Sequence, residues 1–408
     1  MLNEAQIEAI VAAGIASIDV RGKRVLVIIP DRTRTMPMPL FFRLLTKYLL
    51  PEAQAVDFMI ALGTHAALSE ESLREHVGIT AEEQATTYAR VRLINHAWND
   101  PDALLLLGTI PASEIEQLSG GRLSQPVPVR LNKAIMEYDE IIICGPVFPH
   151  EVAGFSGGNK YFFPGIAGAD IIDFTHWLGA LITSYEIIGT KDTPVRRVID
   201  RAANMIPRSR HAFCCVVTHE TVEGVFFGTP EEAWPLAAEL SSQTHVKWLD
   251  RPYQQVLAVM PSLYDDIWTG AKGMYKTEPV IADGGEVIIY APHIEEISYM
   301  HGHLIRQIGY HVRDYFVRQW EQFKDLPGGI LAHSTHLRGI GTYDAASGRE
   351  CPRVSVTLAT GISEEVTRAV NLGYRDPRSI DVDEWLARRD DDLLVIPRAG
   401  EYLYRLKR

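Results

Sequence analysis

The chain has 408 residues, of which 46% are hydrophobic and 23% are charged. This length exceeds that of one ordinary hydrophobic core and indicates two domains, and the composition is that of a globular protein. The net charge of −12 and the lack of any lysine- and arginine-rich cluster exclude nucleic acid as an expected partner.

The first residues and the cysteines bear on the compartment. No apolar run reaches the ~18 residues of a membrane span, and the start lacks the basic region and cleavage pattern of a secretory signal. The cysteines have no ligand-like spacing, which argues against both a disulfide framework and a zinc site: Cys144, Cys214, Cys215 and Cys351. We therefore expect a protein of the reducing cytoplasm with no membrane partner.

Short apolar runs rich in β-branched residues recur along the chain and are typical of buried parallel strands. They are RVLVII (24–29), VDFMIAL (56–62), EIIICG (140–145), QVLAVM (255–260), EVIIYAP (286–292) and LLVIP (393–397). Helix-compatible segments lie between them, such as 40–50 and 230–243. Strands that alternate with helices predict an α/β fold with mostly parallel sheets.

We predict two domains, with the active site in the cleft between them. Residues 1–275 form the predicted N-terminal α/β domain, which carries the lysine and the histidines discussed below. Residues 276–375 form a smaller C-terminal α/β domain, and the tail 376–408 is expected to pack back on the first domain.

Polar stretches directly follow four of the predicted strands. These stretches are DRTRTMPMP, GTH, HEVAGFSGGNK and SLYDDIWTGAKG. Because ligands bind beyond the carboxyl ends of strands in open α/β sheets, we expect the four ends to converge on one site.

The stretch HEVAGFSGGNK, residues 150–160, combines glycines with a terminal lysine. Glycine weakens helices and strands, so the stretch is predicted to be a loop built for close backbone approach. A phosphate-binding P-loop does not fit, because Asn159 stands in place of the last glycine and Tyr161 follows the lysine. Lys160 either reaches solvent from this loop or, held among apolar residues, acts as a nucleophilic amine.

Three histidines lie at strand ends or near the glycine-rich loop. His65 ends the GTH stretch, His150 begins the loop, and His176 follows it in DFTHW. Histidine titrates near ~6.5, so it serves as acid and base at neutral pH and as a metal ligand. Turn chemistry explains His96 equally well, and we interpret four further histidines as structural: His293, His301, His303 and His336.

Two basic side chains offer the local positive charge that a carboxylate substrate needs in an acidic chain. Arg34 lies in DRTR directly after a strand, beside Asp31 and Thr33, and an arginine fork suits a carboxylate or a phosphate. A plain Asp–Arg surface pair explains the same stretch. Lys272 follows another strand, in TGAKG.

Together these stretches resemble the nickel-pincer lactate racemase family. The segments DRTR, GTH, PHEVAGFSGGNKYFFPGIAG, DFTHW and KGMYK occur in that order over nearly the whole chain. The most specific part is the H-x9-K-x15-H spacing from His150 through Lys160 to His176. The resemblance implies an isomerase, a racemase or epimerase that inverts the C2 centre of a 2-hydroxy acid by hydride transfer.

The resemblance also implies a cofactor. This nickel-pincer nucleotide is a pyridinium-3-thioamide-5-thiocarboxylic acid mononucleotide that carries nickel, and it would be attached covalently to Lys160. His176 would be the protein ligand of nickel, in a planar set with a ring carbon and two sulfurs that suits Ni(II). Thr33 and the amides around Gly157 and Gly158 would help to hold the cofactor phosphate. Separate maturation proteins would supply the cofactor.

The same resemblance implies the catalytic and substrate-binding residues. His65 and His150 would be the acid–base groups on opposite faces of the substrate, and Asp31 would orient one of the rings. The substrate carboxylate would bind Arg34 and Lys272.

The substrate pocket departs from the family pattern. Trp268 and Thr269 stand where lactate racemase has a tyrosine–glutamine pair near the substrate, and Thr35 replaces a proline. The loss of a polar amide favours a 2-hydroxy acid other than lactate, with a larger or differently polar side chain.

Two alternatives stay open. A metal-free lyase or aldolase would form a Schiff base at Lys160, which requires only a desolvated lysine and a nearby acid–base group. A sugar-acid- or nucleotide-binding protein without enzymatic activity is the other interpretation, and it leaves His65, His150 and His176 without a role.

Overall fold

The computed structural model describes residues 1–219 and 221–407. Its strands, in chain order, are β1 (Arg24–Pro30), β2 (Ala55–Ala61), β3 (Leu93–Asn95), β4 (Leu104–Ile110), β5 (Val127–Asn132), β6 (Glu140–Pro146), β7 (Pro149–His150), β8 (Gly154–Phe155), β9 (Ser209–Val217), β10 (Val222–Gly228), β11 (Val246–Leu249), β12 (Tyr253–Val259), β13 (Ile281–Ala291), β14 (Gly341–Asp344), β15 (Arg349–Pro352), β16 (Ser355–Thr360), β17 (Gly373–Tyr374), β18 (Leu393–Ile396) and β19 (Leu403–Leu406).

The helices, in chain order, are α1 (Glu4–Ala16), α2 (Met38–Leu49), α3 (Glu70–Val77), α4 (Ala81–Ala85), α5 (Ala112–Ser119), α6 (Ala169–Ile182), α7 (Ser184–Ile187), α8 (Pro194–Ala203), α9 (Pro230–His245), α10 (Ile267–Gly270), α11 (Lys272–Tyr275), α12 (Gly302–Ile308), α13 (Arg313–Arg318), α14 (Trp320–Phe323), α15 (Gly328–Arg338), α16 (Glu364–Ala369) and α17 (Val382–Ala387). Among these described helices, none combines the length and the apolar character that a membrane crossing requires.

The chain divides into two compact units. Unit 1 consists of Met1–Phe148, Phe155–Ile172 and Lys191–Thr244. Unit 2 consists of Pro149–Gly154, Asp173–Thr190 and the chain from His245 onward.

The sheet of unit 1 has the strand order β10-β9-β6-β1-β2-β3. Its neighbouring strands are parallel except for β10 and β9, which are antiparallel. The central strands β1 and β6 are buried almost throughout, as expected of strands that are covered on both faces. Val11 of α1 and Phe41 and Phe42 of α2 contribute to the core that packs on this sheet.

The larger sheet of unit 2 has the order β17-β16-β13-β12-β18, and all its neighbouring strands are parallel. Its core includes Leu257, Ile288 and Ala359 from three adjacent strands, together with Trp385 of α17. A separate parallel pair joins β11 to β19.

The predicted fold class and secondary structure are confirmed. Each of the six apolar runs is a strand, namely β1, β2, β6, β12, β13 and β18. The two helix-compatible segments are α2 and α9. Strands that are buried on both faces require a continuous apolar sequence, so they could be predicted from the sequence alone.

The division of the chain differs from the predicted boundary near residue 275. Strand β12 precedes that boundary, yet it pairs with β13 and β18 in unit 2. The tail therefore belongs to unit 2, where β18 pairs with β12 and β19 pairs with β11. Hydrophobic periodicity identifies a strand but does not identify the sheet that the strand joins.

Three of the four polar strand ends meet in one sheet. Strands β6, β1 and β2 are neighbours, so the stretches that follow them leave the same edge of the unit 1 sheet. The fourth stretch, SLYDDIWTGAKG, follows β12 and lies at the sheet of unit 2.

Glu278 gives unit 2 a defined pH dependence of stability. The side chain is fully buried, its Oε1 accepts the N–H of Ile340 at 2.8 Å, and its Oε2 has no hydrogen-bond partner among the described residues. Burial raises the pKa of Glu278 from its ordinary value of 4.5 to about 6. The folded protein thus retains a proton that the unfolded chain loses as the pH rises through this window, so stability falls with rising pH.

We expect Glu278→Gln to remove this loss, because the amide does not ionise. Between pH 4.5 and pH 7 the wild type should lose about 2 kcal/mol of unfolding free energy that the variant retains. Urea titrations at both pH values measure the difference. Glu295→Gln, at an exposed site, is the matched control and should behave like the wild type. Equal pH profiles for Glu278→Gln and the wild type would contradict the assignment.

Candidate active site

Asp31 and His65 form a hydrogen-bonded pair at the carboxyl ends of adjacent strands. Asp31 directly follows β1 and His65 lies in the turn after β2, and these strands pair in parallel with Pro30 opposite Ala61. The Nδ1 atom of His65 lies 2.8 Å from Oδ2 of Asp31. An ionised carboxylate only accepts hydrogen bonds, so Nδ1 is the donor in this pair, which leaves Nε2 as the nitrogen for acid–base chemistry.

The Asp31 carboxylate is kept ionised although it is buried. Burial alone would raise the pKa of Asp31, but the charges of His65 and Arg34 and the hydrogen bonds from His65 and Thr33 hold it well below its usual range. Thr33 donates twice to Oδ1 of Asp31, from its amide at 2.8 Å and from its hydroxyl at 2.5 Å. The hydroxyl proton of Thr33 is thus used in a hydrogen bond to Asp31.

Arg34 completes the charged group at this sheet edge. Its guanidinium lies over the ring of Phe148, 5.6 Å from the ring centre, and its charge acts on both Asp31 and Tyr161. Tyr161 is buried, and burial raises the pKa of its hydroxyl well above the ordinary value. The predicted Asp–Arg surface pair is therefore not what the structure contains, because Asp31 is buried and pairs with His65.

The glycine-rich loop adopts a backbone that its sequence makes possible. Gly157 and Gly158 have φ values of 80° and 58°, in the left-handed region that glycine favours. A Cβ atom on Gly157 would lie 2.4 Å from Cγ2 of Val147. Lys160 follows in a single 3₁₀ turn, Gly158–Tyr161, and is half-buried.

Backbone hydrogen bonds join the Lys160 segment to the His65 segment. The N–H of Gly165 donates to the carbonyl of Lys160 at 3.1 Å, and the carbonyl of Gly165 accepts the N–H of Gly63 at 2.9 Å. The N–H of His65 in turn donates to the carbonyl of Leu62 at 2.9 Å. Unit 1 thus brings together the segments that carry Asp31, Arg34, His65 and Lys160.

Arg196 and Trp234, two buried side chains that we did not identify from the sequence, hold the glycine-rich loop. We call this pair the loop clamp. Arg196 of α8 donates to the carbonyls of Phe155 and Gly157, the latter at 3.1 Å, and Nε1 of Trp234 donates to the carbonyl of Ser156 at 2.7 Å. The Arg196 guanidinium lies 4.1 Å from the Trp234 ring centre. Burial lowers the pKa of Arg196 to about 10, so it stays charged at neutral pH. Three successive loop carbonyls are therefore fixed by two side chains that are distant in sequence.

The polar groups next to Lys160 are also engaged within unit 1. The amide of Asn159 donates to Asp200 at 3.0 Å and to Glu231 at 2.9 Å, and its oxygen accepts from Arg210 at 3.0 Å. The backbone N–H of Gly158 hydrogen-bonds to the Cys214 thiol. The residue that breaks the P-loop pattern thus anchors the loop.

His150 and His176 both belong to unit 2, whereas the predicted boundary placed them in the N-terminal domain. His150 is 4% exposed, and its Nδ1 accepts the N–H of Val152 at 3.1 Å. Nδ1 of His150 also lies 3.4 Å from Oε2 of Glu151, and because a carboxylate only accepts while a backbone N–H only donates, the two contacts ask opposite roles of this nitrogen. His176 is a half-buried residue of α6. Asp173, one turn earlier, accepts the N–H of Gly329 at the start of α15 at 2.9 Å.

The predicted substrate-binding residues of unit 2 lie on α10 and α11. The amide and the hydroxyl of Thr269 both donate to Oδ1 of Asp266 at 2.9 Å. The hydroxyl proton is thus used in a hydrogen bond to the residue that precedes α10. The Nζ atom of Lys272 donates to the carbonyl of Thr269 at 3.3 Å and lies 4.7 Å from the ring centre of Tyr264. Lys272 is 7% exposed, so its charge acts in a weakly hydrated environment.

Three histidines that the sequence led us to treat as structural or to overlook surround these residues. The ring centres of His301 and His333 lie 4.6 Å and 4.1 Å from that of Trp268. His336, one turn after His333 on α15, is 4% exposed, and its Nε2 has no hydrogen-bond partner among the described residues. His176 and Glu151 both act electrostatically on His336. The H-x-x-H spacing on a helix was the available signal for the α15 pair.

The comparisons with known proteins agree with the predicted family. A family model described as the lactate racemase N-terminal domain matches residues 3–187. Lactate racemase of Thermoanaerobacterium thermosaccharolyticum is 25% identical over 275 residues, and that of Lactiplantibacillus plantarum is 25% identical over 286 residues. Each match covers 66% of this chain, but only 60% and 61% of the respective relative.

Two solved structures resemble the chain over nearly its full length. A crystal structure of a Thermotoga maritima protein is 35% identical, covers 100% of this chain and 99% of its own, and gives a TM-score of 0.92. The lactate racemase apoprotein of T. thermosaccharolyticum is 21% identical, covers 98% of this chain and 92% of its own, and gives a TM-score of 0.74. The second likeness shows that the fold is shared.

The loop clamp predicts a specific loss of stability. In Arg196→Lys the shorter, unforked cation cannot reach the carbonyls of both Phe155 and Gly157, so a buried carbonyl loses its donor. We expect the free energy of unfolding to fall by about 2–4 kcal/mol. Thermal and urea unfolding measure this loss.

Arg197 offers a matched control on the same helix. It pairs with Asp192 at the surface, and Arg197→Lys should change the free energy of unfolding by less than about 0.5 kcal/mol. Equal effects at the two positions would show that Arg196 does not hold the loop.

Proposed function

The chain belongs to the lactate racemase family, and from this premise we propose that it is an isomerase that inverts the C2 centre of a 2-hydroxy acid. The observation that carries the proposal is the 2.8 Å pair between His65 Nδ1 and the buried carboxylate of Asp31. It gives the chain a histidine that a carboxylate holds through Nδ1, so that Nε2 is the nitrogen presented for acid–base catalysis.

The two proposed catalytic histidines are both held through Nδ1. His65 donates from Nδ1 to Asp31, so Nε2 is an acceptor that can take the hydroxyl proton of the substrate. His150 is held at Nδ1 by the N–H of Val152 and the carboxylate of Glu151, so Nε2 is the nitrogen that would return a proton to the substrate oxygen. Inversion at C2 passes through a planar 2-keto acid and needs one group of each kind, which supports the assignment.

We assign the substrate carboxylate to Arg34 and Lys272. Both are held among aromatic rings, by Phe148 and Tyr264, so their charges act with little screening by water. Because the net charge of the chain is −12, a carboxylate substrate requires such local cations. Trp268 and Thr269 would adjoin this carboxylate, since Lys272 already bonds to the Thr269 carbonyl.

The donor set of the chain fits the nickel-pincer nucleotide. Among the described residues no group of three or more His, Cys, Asp and Glu side chains is placed to hold a metal, whereas this cofactor asks the protein for a single imidazole. We propose that His176 is that ligand, and the buried, unpartnered Nε2 of the neighbouring His336 is an orphaned polar atom of the kind that a bound group satisfies. When bound, the cofactor would supply the acceptor and donor of the C2 hydride.

Lys160 is the proposed point of covalent attachment. Its position in a one-turn helix, behind a loop whose carbonyls are clamped by Arg196 and Trp234, would present the amine in one orientation. Of the predicted contacts of the cofactor phosphate, Thr33 donates both its protons to Asp31 and Gly158 donates its N–H to Cys214, so Gly157 is the one that we retain. Maturation proteins would be required partners, and a cytoplasmic location stays a prediction.

The Schiff-base lyase has no comparable support. It needs Lys160 and one nearby acid–base group, and it leaves either His65 with its partner Asp31 or His150 without a purpose. The named relatives are lactate racemases, which favours inversion over bond cleavage.

Lys160 and His65 are expected to separate cofactor attachment from catalysis. On chain co-expressed with the maturation proteins, Lys160→Ala should lose the covalent adduct and the activity together. His65→Ala should lose the activity and keep the adduct. Intact-mass spectrometry with nickel analysis measures the adduct, and chiral chromatography of 2-hydroxy acids measures inversion.

Lys191→Ala, at a surface lysine paired with Glu239, is the control and should keep both properties. An adduct that persists in Lys160→Ala would refute covalent attachment at this residue. Borohydride trapping of substrate on Lys160 would instead support the Schiff-base lyase.

Asp31→Asn should impair catalysis without affecting the adduct. An amide in place of the carboxylate no longer fixes Nδ1 of His65 as the donor, so the base at Nε2 is lost from part of the population. We expect kcat to fall by about 10²–10⁴-fold, as for other histidines that lose an orienting carboxylate. Asp102→Asn, at an exposed carboxylate, is the control. Unchanged turnover in Asp31→Asn would remove Asp31 from the mechanism.

A further inference from the structure

Tyr161 is a buried residue of unit 1 whose hydroxyl the proposed mechanism does not use. It lies on the same 3₁₀ turn as Lys160, Gly158–Tyr161, and is 8% exposed. The hydroxyl has no hydrogen-bond partner among the described residues, and its surroundings act on it through burial and charge. Because a buried polar group without a partner costs free energy, this hydroxyl calls for a functional reason.

The hydroxyl lies at the carboxyl end of β6, beside the end of β1. A Cβ atom on Gly145, the next-to-last residue of β6, would lie 1.8 Å from the hydroxyl oxygen of Tyr161. The missing side chain of Gly145 thus leaves the space that the phenol occupies. Strand β1 is the neighbour of β6, and the chain runs from β1 directly into Asp31 and on to Arg34. The hydroxyl is therefore at the sheet edge that carries these two residues.

Arg34 is the charged group that acts most strongly on this hydroxyl. Burial raises the pKa of Tyr161 well above its ordinary value, and the charge of Arg34 follows burial in strength, ahead of that of Asp31. The phenol therefore keeps its proton at neutral pH and can donate it in a hydrogen bond. A donor in the field of a guanidinium suits an oxyanion, whose oxygens accept hydrogen bonds and whose charge pairs with the cation.

We propose that Tyr161 is a further substrate-binding residue, whose hydroxyl donates a hydrogen bond to the carboxylate that Arg34 binds. This inference rests on the proposed function and adds one contact to it. A carboxylate offers about four lone-pair positions, so the two-pronged fork of Arg34 and a single contact from Lys272 leave one for a further donor.

Two other roles of the hydroxyl make different predictions. A tyrosine that only supports the fold bonds to a protein partner, as Tyr138 does when its hydroxyl donates to Asp57 at 2.8 Å. The cofactor phosphate is also an oxyanion and has the same hydrogen-bond chemistry as the substrate carboxylate. We favour the carboxylate because Arg34, the strongest charge on the hydroxyl, is assigned to it.

The test compares Tyr161→Phe with the wild type in the matured, cofactor-loaded chain. Phenylalanine keeps the ring that packs on Gly145 and removes only the hydroxyl. Glycolate is the binding probe, because it has the carboxylate and the hydroxyl of a 2-hydroxy acid but no side chain and no stereocentre. We expect the Kd of glycolate, measured by isothermal titration calorimetry, to rise about 10- to 100-fold, as for a lost hydrogen bond to a charged group.

Two further measurements separate substrate binding from a structural role. The melting temperature of Tyr161→Phe should not fall, because the variant loses no hydrogen bond within the protein and buries no unpaired hydroxyl. Turnover is followed with enantiopure lactate, malate, glycerate and 3-phenyllactate. For each acid that is inverted KM should rise while kcat changes little, since the contact is made equally in the ground state and the transition state.

Tyr138 supplies the matched control at the opposite end of β6. It is 1% exposed, and its hydroxyl donates to Asp57 at 2.8 Å and accepts from Arg92 at 3.0 Å. Tyr138→Phe should therefore lower the melting temperature and leave the Kd of glycolate unchanged.

Three results would overturn the assignment. An unchanged Kd of glycolate in Tyr161→Phe removes the contact, and a lowered melting temperature alongside it makes the hydroxyl structural. A collapse of kcat at unchanged KM places the hydroxyl at the reacting atoms instead of the carboxylate. Loss of the covalent adduct, seen by intact-mass spectrometry, assigns the hydroxyl to the cofactor.

Failure of the underlying function has a different signature. In that case the loaded chain would invert none of the four acids, while a lactate racemase matured in parallel inverts lactate. A glycolate Kd that still depends on Tyr161 would then support the carboxylate contact without the racemase. A wild-type chain that does not bind glycolate refutes the contact itself.

Discussion

A carboxylate that is taken out of water must be paired, and the buried carboxylate of Asp31 governs the arrangement of unit 1. An uncompensated charge in such a place costs several kcal/mol, and here it is offset by His65, Thr33 and Arg34. The same contacts that stabilise the charge also fix the proton of His65 on Nδ1. The stability of the buried charge and the orientation of the His65 ring therefore depend on one interaction. This interaction is possible because parallel pairing of β1 with β2 places the two strand ends side by side.

The glycine-rich loop has few side chains that could fix its own backbone in one conformation. Glycine permits the left-handed turns at Gly157 and Gly158 but loses the most conformational entropy on folding. Arg196 and Trp234, which lie outside the loop, offset this entropy loss by donating hydrogen bonds to consecutive loop carbonyls. The proposed attachment of a cofactor at Lys160 would gain from this rigidity, because a displacement of about 1 Å is enough to cost orders of magnitude in rate.

The sequence was informative wherever a local pattern carries the physical constraint. Continuous apolar runs revealed the strands, and polar stretches after them marked Asp31, His65 and the Lys160 loop, because both follow from burial and strand direction. Sheet membership was not visible: β12 looks like any buried strand, yet it pairs with β13 and β18. Arg196 and Trp234 were equally hidden, since their role depends on contacts with a loop distant in sequence, and nothing in the local pattern around α8 or α9 points to it.

The histidines show why residue type alone does not reveal a role. His96 is buried with both ring nitrogens used, Nε2 by the carbonyl of Ala167 and Nδ1 by the amide of Asn132, and burial lowers its pKa to about 4. Such a ring has no proton to give and no lone pair to offer. His65, by contrast, donates from Nδ1 to the Asp31 carboxylate, and this contact leaves Nε2 unused by Asp31. The partners of a ring, and not its residue type, therefore decide which of its nitrogens is left for chemistry.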